Sequence, residues 1–322
     1  MVEGDAAKPQ TLTDIGRFTA LAVLCCLLVS GIPALSFLTL ALCPLPIAII
    51  STRQGIKAGL ACLCALGTIL ILLIGLTNAI PLVLIVGSMG IAYPVGVKKN
   101  ISFAQSVMVG TAFIFLSLIL LGLLTFQTRK INIVDQQIKG LKKDIASFRQ
   151  DYTDNGFSEE QVAEQFKAIN ESLKIFPRIV PAAIIMFSLW VSFLYLSLAG
   201  LVLRNLGEGT IVFPSFRLWQ FPWYFAWGYI IGLIGTLFSS YLGIYQGIGR
   251  VVGMNFLVVF NLLFLVQGFA IVYFFLDKFK INNYLRVLGF VLLLIIPLAS
   301  PLVTWFGLLD VWYNFRKIPS EE

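Results

Sequence analysis

Long apolar runs separated by short polar stretches make up most of this chain. After a first apolar stretch at 18–50, further runs cover 58–76, 79–97, 101–126, 179–203, 222–243, 251–276 and 285–313. Each run is continuous rather than alternating, and most approach the about 20 residues that a membrane-spanning helix needs. Backbone groups inside a bilayer must pair within their own segment, so such runs are typical of transmembrane helices. The pattern predicts an all-α, polytopic transmembrane helical bundle.

The number of spans depends on prolines in two of the runs. Run 18–50 is too long for one helix and short for two, and prolines from Pro33 onward interrupt it, so we expect a tight helix pair there. Run 285–313 contains Pro297 and Pro301 and is either one kinked helix or two short ones. We predict about nine spans, with eight to ten allowed.

A charged island at 134–162 breaks this pattern. Its apolar residues step by four and three in two sets, Val134, Ile138, Leu141, Ile145 and Phe148, then Val162, Phe166, Ile169, Leu173 and Phe176. Each set is a short a/d seam. A turn signal at Asp154–Gly156 and a capping box from Ser158 to Gln161 separate the two. We predict that 129–177 form an extramembrane antiparallel helical hairpin, coiled-coil-like, which is either a passive cap or a contact arm for a partner.

These patterns divide the chain into five parts. The predicted division is an N-terminal tail at 1–16, a first transmembrane half at 17–126, the soluble hairpin at 127–178, a second transmembrane half at 179–316 and a C-terminal tail at 317–322.

Composition and charge agree with a membrane protein. Hydrophobic residues make up 58% of the chain and charged residues 12%, with a mean hydropathy of +0.91, whereas soluble proteins carry about 25% charged residues. The net charge is +7, but the basic residues lie at the ends of apolar runs, as positive-inside loops do, so we exclude nucleic acid as a partner. We expect a multi-pass membrane protein with the N-terminus in the cytoplasm and the island outside. The residues then placed inside are Arg53, Lys57, Lys98, Lys99, Arg204, Arg217, Lys278 and Lys280.

Few residues here suit catalysis or metal binding. The chain has no histidine, which removes the usual general base near neutral pH and a common metal ligand. Its five cysteines fall within apolar runs, where cysteine behaves as a small hydrophobe: Cys25, Cys26, Cys43, Cys62 and Cys64. We therefore expect no metal, no cofactor and no enzymatic activity.

Three polar residues in the second half are candidates for binding. Asp310 is the one carboxylate inside an apolar run, and ionisable groups in a membrane are costly and often functional. On a continuous helix Asp310, Asn314 and Lys317 would share a face, so Asp310 either pairs with Lys317 or serves a site. Asn261 and Gln267 are expected to be buried amides on different helix faces, for interhelical hydrogen bonding or for ligand contact.

Aromatic residues cluster at 213–229, where Trp219, Trp223, Tyr224 and Trp227 lie around two prolines. This segment is either an interfacial belt entering a helix or a platform on which a ligand stacks.

Small residues recur at four-residue spacing, which lets helices approach closely inside a bundle or at a partner interface. The candidates are Ala22, Cys26, Ser30 and Ala34, then Gly55 and Gly59, then Gly228 and Gly232.

Four segments in order carry a family resemblance: PLPIAIISTRQGIKAG (44–59), FPSFRLWQFPW (213–223), VQGFAIVYFF (266–275) and GLLDVWYNFR (307–316). Together they resemble the YybS-like family of predicted bacterial membrane proteins of unknown function. That family is grouped by distant similarity with substrate-binding S components of energy-coupling-factor transporters and with the rod-shape protein MreD. The resemblance implies a location in the bacterial cytoplasmic (inner) membrane and an S-component-like core in the first half. In S components an alanine pair four apart docks the energising subunit, and Ala22 and Cys26 are the matching ridge here, a departure from that pair.

Two functions follow as expectations. The first is a non-enzymatic component that binds a small molecule or lipid, related to transporter S components, with Asn261, Gln267, Trp219, Trp227 and Asp310 lining its site. The alternative is a non-catalytic scaffold of a cell-envelope membrane assembly, in the manner of MreD. The expected partners are the lipid bilayer, a transporter or envelope membrane protein, and a small-molecule or lipid ligand.

Overall fold

A computed structural model describes residues 9–31, 42–130, 132–154, 159–208, 211, 213–238, 247–296 and 299–318. These residues form eleven α-helices and one short 3₁₀-helix, with no β-strand among them. The predicted all-α class is therefore confirmed for the described part of the chain.

The helices follow the apolar runs closely. They are α1 (Pro9–Gly31), α2 (Leu45–Gln54), α3 (Ile56–Ile74), α4 (Leu76–Lys98), α5 (Phe103–Arg129), α6 (Ile133–Asp154), α7 (Glu159–Asn205), the 3₁₀-helix (Phe216–Leu218), α8 (Phe225–Phe238), α9 (Ile248–Lys278), α10 (Asn283–Ile295) and α11 (Ala299–Tyr313).

Among the described residues, six helices are long and apolar enough to cross a membrane: α1, α3, α4, α5, the later part of α7, and α9. The predicted nine spans are not confirmed, because the described parts of the other apolar runs form shorter helices. Helix α2 has 10 residues and α8 has 14, which at 1.5 Å per residue fall short of a 30 Å hydrocarbon layer. The last run divides into two short helices, α10 and α11, one of the two outcomes expected for it.

Glycines set the junctions between the first helices. Gly55 ends α2 and precedes α3 with φ 88°, and Gly75 joins α3 to α4 with φ 78°. Only glycine adopts such positive φ values without strain, so each junction needs a single residue. Helix α5 begins with a capping box, in which Ser102 and Gln105 each accept a hydrogen bond from the other's backbone nitrogen.

The chain divides into two compact units. The first comprises 1–168 and 184–213, and the second comprises 169–183 and 214–322. Helix α7 contributes to both. The interior of the first unit is apolar: one cluster surrounds Met89, Tyr93 and Tyr195, and another surrounds Ala22 and Cys26.

Polar contacts identify one basic end of the first unit. Arg53 pairs with Glu208 at 3.2 Å, and the Gln54 side-chain amide donates to Asp14 at 2.6 Å. The start of α1, the end of α2 and the end of α7 therefore meet there. Because α3, α4 and α5 then pack in antiparallel succession, Lys98 returns to this end, and α5 runs to the opposite end before α6 begins.

The charged island is helical, but its predicted seam is packed only in part. Helix α6 is followed by α7, which continues without interruption from the island to Asn205. The rings of Tyr152 and Phe166 meet edge to face at 5.9 Å, which brings the two arms together near their turn. None of the five seam residues on α6 is buried and Ile169 on α7 is exposed, whereas Phe166 on α7 is buried. The coiled-coil expectation is therefore not supported by the described residues. Asn155 and Gly156 of the predicted turn, and Ser158 of the predicted capping box, lie outside them.

Glycines hold the helices of the second unit together. A side chain at Gly228 would strike the Phe260 ring, and one at Gly232 would meet the backbone of α9 at Leu257. The predicted small-residue pair 228–232 is thus the contact between α8 and α9. Likewise, side chains at Gly268 and Gly307 would strike backbone carbonyls across the contact between α9 and α11.

Candidate functional site

A buried ion pair lies at the C-terminal end of α11 in the second unit. The helix ends at Tyr313, and Asn314 follows with φ 42°. The Asn314 side chain closes this turn through two hydrogen bonds with the backbone of Ile318, at 2.7 and 2.9 Å. The turn brings Arg316 back to Asp310, where Nη2 donates to Oδ2 at 2.7 Å and Nε donates to the same oxygen at 3.3 Å. Both side chains are 0% exposed.

Further hydrogen bonds extend this pair across three parts of the unit. Gln267 on α9 donates from Nε2 to Asp310 Oδ2 at 3.3 Å, and its Oε1 accepts from the Phe221 backbone N–H at 3.0 Å. Asp310 Oδ1 accepts from the Phe315 N–H at 2.9 Å. The polar ends of Asp310, Arg316 and Gln267 therefore form one connected network.

Arg316 completes the network through two backbone carbonyls of the aromatic segment. Its Nη1 donates to the Arg217 oxygen at 2.7 Å and its Nη2 to the Trp219 oxygen at 2.8 Å. Two buried charges cost several kcal/mol each to desolvate, and such a pair is tolerated only when hydrogen bonds satisfy the remaining polar atoms. Here they do, so the network fastens the segment 214–221 and the C-terminal turn to α9 and α11.

Close helix contact makes the network possible. Gly268 follows Gln267 directly on α9, and Gly307 lies one turn before Asp310 on α11. An added Cβ at Gly307 would lie 2.8 Å from the Gly268 nitrogen. Because these two positions lack side chains, the backbones of α9 and α11 approach each other closely. The Gln267 side-chain amide is thereby placed within hydrogen-bonding distance of the Asp310 carboxylate.

Only part of the predicted binding set comes together. Gln267, Asp310 and Trp219 join the network, Trp219 by its carbonyl, while its indole N–H donates to the Pro214 oxygen at 3.1 Å. Trp227 is 56% exposed and takes no part in it. The expectation that Asn261 is buried is wrong, because its side chain is exposed on α9.

The expected partner of Asp310 also differs. One of the two alternatives for Asp310 was a pair with Lys317, on the assumption that the helix continued through Asn314 to that residue. The helix instead ends at Tyr313, and Lys317 has φ 52° and an exposed side chain. Arg316, which the sequence did not single out, takes the place of Lys317. The sequence signal that could have indicated Arg316 is its position six residues after Asp310, the one carboxylate inside an apolar run.

A second charged cluster lies beside the network. Asp277 at the end of α9 pairs with Arg217 at 2.7 Å and with Arg286 of α10 at 3.0 Å. The Arg286 guanidinium also lies 5.7 Å from the centre of the Tyr273 ring, within the range of a cation–π interaction. Arg217 thus binds α9 through its side chain and Arg316 through its carbonyl, so one end of the second unit is basic and joined by ion pairs.

Asn255 makes a contact that the sequence did not indicate. Pro181 lies inside α7, where a proline lacks the N–H that the helix uses for its backbone hydrogen bond. Asn255 on α9 accepts from the Ala182 N–H at 2.8 Å and donates to the Arg178 carbonyl at 2.7 Å. Its amide therefore bridges the two backbone groups that flank the proline, and it fixes this part of α7 to α9.

The predicted small-residue interface of the first half lies mostly inside the protein. Ala22 and Cys26 are fully buried in the first unit's own interior, so the docking ridge that the resemblance implied is covered by the chain itself. Gly59 packs against Ser51, and Gly55 is the helix junction described above. The side chain of Ser30 and all of Ala34 lie outside the described residues.

The described residues contain no group of three or more His, Cys, Asp or Glu side chains placed to hold a metal ion. The five cysteines form no disulfide, and Cys26, Cys43 and Cys62 are buried in the interior of the first unit.

Comparison with known proteins agrees with this architecture. The chain is 22% identical over 291 residues to the uncharacterised protein YybS of Bacillus subtilis (strain 168), covering 90% of this chain and 92% of that protein. No solved structure matches. Three of the four segments that carried the resemblance, 213–223, 266–275 and 307–316, supply the polar network. The family model described as "Predicted membrane protein (DUF2232)" matches residues 19–311, and the chain belongs to this family of membrane proteins.

Proposed function

We propose that this membrane protein is a non-catalytic scaffold component of a cell-envelope membrane assembly. The observation that carries the proposal is the self-contained Asp310–Arg316–Gln267 network. A polar site that binds a solute keeps donors and acceptors available for it. In the second unit these groups are instead bonded to one another and to the backbone, which is how a polar cluster specifies one arrangement of helices.

The geometry gives less support to the solute- or lipid-binding function. Its five expected residues do not share one site, since Asn261 and Trp227 face outward. Coupling to an energising subunit through Ala22 and Cys26 loses support because both are buried. An S-component-like first half and a role in transport stay predictions.

Co-purification from native membranes in mild detergent, followed by mass spectrometry, tests the scaffold proposal. Gln267→Met serves as the matched variant, because methionine has a similar volume and cannot make the two hydrogen bonds of the glutamine side-chain amide. A scaffold is expected to retain envelope membrane proteins in stoichiometric amounts. The Gln267→Met variant is expected to unfold at a lower thermal midpoint than the wild-type protein. A stoichiometric metabolite or lipid that is lost from a fully stable Gln267→Met variant would overturn the proposal in favour of ligand binding.

The same proposal places the protein in the bacterial cytoplasmic membrane with its N-terminus inside. The support is the charge at one end of the first unit, where Arg53, Lys98 and Lys99 lie with the start of α1. Alkaline phosphatase fused after Gly140, which is exposed on α6, is expected to be active, and the same enzyme fused after Lys99 inactive. The reverse result would invert the orientation.

A further inference from the structure

Positive charge is in excess at the end of the second unit where α9 ends and α10 begins. The Asp277 carboxylate pairs with Arg217 at 2.7 Å and with Arg286 at 3.0 Å, so two guanidinium groups share one carboxylate. Lys278 follows Asp277 directly, and the Lys280 N–H donates to the Asp277 carbonyl at 3.0 Å. Both lysine side chains are exposed and form no ion pair with a described residue. Asp277 therefore balances one of the four positive charges, and this end of the unit attracts anions.

Arg217 is held in place while part of its guanidinium group stays available. Its Nη1 donates to Asp277, and its side chain makes no other hydrogen bond to the described part of the chain. Its backbone carbonyl accepts from Arg316 at 2.7 Å, so the residue is fixed at both ends. The side chain is nevertheless 48% exposed. A fixed guanidinium with free donors suits a phosphate group, whose oxygens accept several hydrogen bonds.

Arg286, in contrast, has a structural role. Its Nε donates to the Ile281 carbonyl at 2.8 Å, which closes the turn between α9 and α10. Its side chain is only 15% exposed, and it also pairs with Asp277. Arg286 therefore adds positive charge to this end, while Arg217 and the two lysines offer the accessible donors.

Exposed apolar side chains place this end at the membrane surface. The candidate membrane span of α9 ends at Lys278. Leu218, Phe279 and Tyr284 lie beside the cations in sequence and are all exposed. Aromatic side chains and cations at the end of a span lie at the level of the lipid headgroups. A phospholipid offers both an anionic group for the cations and hydrocarbon for these side chains, whereas a soluble anion offers the first alone.

We propose that Arg217, Lys278 and Lys280 bind the phosphate group of an anionic phospholipid at this end of the second unit. Lysine and arginine clustered at the end of a span attract anionic headgroups, and each cation adds to the attraction. Arg217 supplies oriented donors, and the two lysines supply charge. A zwitterionic lipid carries a cation on its own headgroup, so the excess positive charge discriminates against it. The proposal does not rest on the scaffold function.

Lipid titration of the purified full-length chain tests the preference for an anionic headgroup. The chain is delipidated in a neutral detergent, and dioleoyl phosphatidylglycerol or dioleoyl phosphatidylcholine is then added. A ligand that binds the folded state raises the thermal midpoint. Phosphatidylglycerol is expected to raise the midpoint at lower concentrations than phosphatidylcholine. Coinciding titration curves for the two lipids would overturn the proposal.

Two charge-matched double variants locate the site. Lys278→Gln combined with Lys280→Gln removes exposed side chains that form no described ion pair, and it is expected to weaken the apparent affinity for phosphatidylglycerol about tenfold or more. Lys142→Gln combined with Lys143→Gln removes the same charge from α6, which is not a candidate span, and should leave the affinity unchanged. An equal loss in both double variants would overturn the site. Thermal midpoints without lipid and elution volumes identify any variant that fails to fold.

Glycerol 3-phosphate distinguishes a lipid from a soluble phosphate ester. It carries a phosphate group without acyl chains, so it is expected to leave the midpoint unchanged at concentrations where phosphatidylglycerol saturates. A rise as large as that with phosphatidylglycerol would mean that the cations take a soluble phosphate ester, and the lipid assignment would be wrong.

Discussion

The two units of this protein fill their interiors with different chemistry. The first packs apolar and small side chains, and one of its buried hydroxyls, that of Tyr195, donates to the Met89 carbonyl at 3.0 Å. The second contains a fully buried ion pair, Asp310 with Arg316, joined to Gln267 and to the backbone. Substitutions in apolar packing lower the unfolding free energy by amounts that vary with the volume removed. A buried charge, in contrast, is stable only while its partner is present. Single substitutions should therefore affect the second unit more sharply than the first.

The largest effect is expected at Arg316. Arg316→Gln leaves the Asp310 carboxylate buried without its counter-charge, and breaking a buried pair in this way costs about 3–5 kcal/mol of unfolding free energy. Lys317→Gln is the matched control, because Lys317 is adjacent and exposed. Thermal unfolding in detergent should show a large loss for Arg316→Gln and little change for Lys317→Gln. Equal midpoints would mean that the ion pair does not stabilise the unit.

A double replacement separates lost charge from lost packing. Asp310→Leu combined with Arg316→Met removes both charges and keeps apolar volume, and exchange of a whole buried ion pair is often neutral. It also leaves the Arg217 and Trp219 carbonyls without the guanidinium that donates to them. Thermal unfolding in detergent is therefore expected to show that the double variant recovers only part of the stability lost in Arg316→Gln.

A smaller effect is expected from a methyl group at the helix contacts. Gly268→Ala places a Cβ against the Val303 carbonyl, a backbone atom that cannot move aside, so the variant should lose about 1–3 kcal/mol. Gly87→Ala in the first unit meets the end of the Leu63 side chain instead, which can rotate away. Thermal midpoints of the two variants should therefore differ, with Gly87→Ala the closer to wild type. A larger loss for Gly87→Ala would reverse the comparison.

The amide bridge from α9 to α7 should have an effect of similar or smaller size. Asn255→Leu removes the side-chain partner of the Ala182 N–H, which lies at a buried residue, and an unsatisfied buried polar group costs about 1–3 kcal/mol. Asn261→Leu, six residues later on the same helix and exposed, is the control. Hydrogen exchange at Ala182 should accelerate in Asn255→Leu alone. Unchanged exchange there would show that α7 holds this turn without Asn255.

These contrasts explain what could be predicted from sequence. Apolar runs locate helices because each helix satisfies its own backbone, so α3, α4 and α9 begin and end within a few residues of the runs at 58–76, 79–97 and 251–276. Gln267 and Asp310 were found because polar residues are rare in such runs.

The pairing of those polar residues could not be predicted in the same way. It depends on where α11 ends, and the turn at Asn314 decides that by bringing Arg316 rather than Lys317 to Asp310. The choice between Asn255 and Asn261 likewise depends on which face of α9 meets the proline of α7. Both outcomes come from tertiary packing, which periodicity along one helix does not contain.

The smallest effect is expected at the ion pair of the first unit, Arg53 with Glu208. Their side chains are 42% and 25% exposed, so water and salt screen the pair, and Glu208→Gln should cost at most about 1 kcal/mol. Salt sharpens the comparison between the units. At salt concentrations above about 1 M, charges are screened within about 3 Å, so the destabilisation caused by Glu208→Gln should vanish. The destabilisation caused by Arg316→Gln should persist, because the Asp310 partner is buried. Thermal midpoints of both variants and wild type at low and high salt measure this. A salt-sensitive Arg316→Gln effect would mean that solvent reaches the Asp310–Arg316 pair, and the second unit would then be stabilised in the same way as the surface of the first.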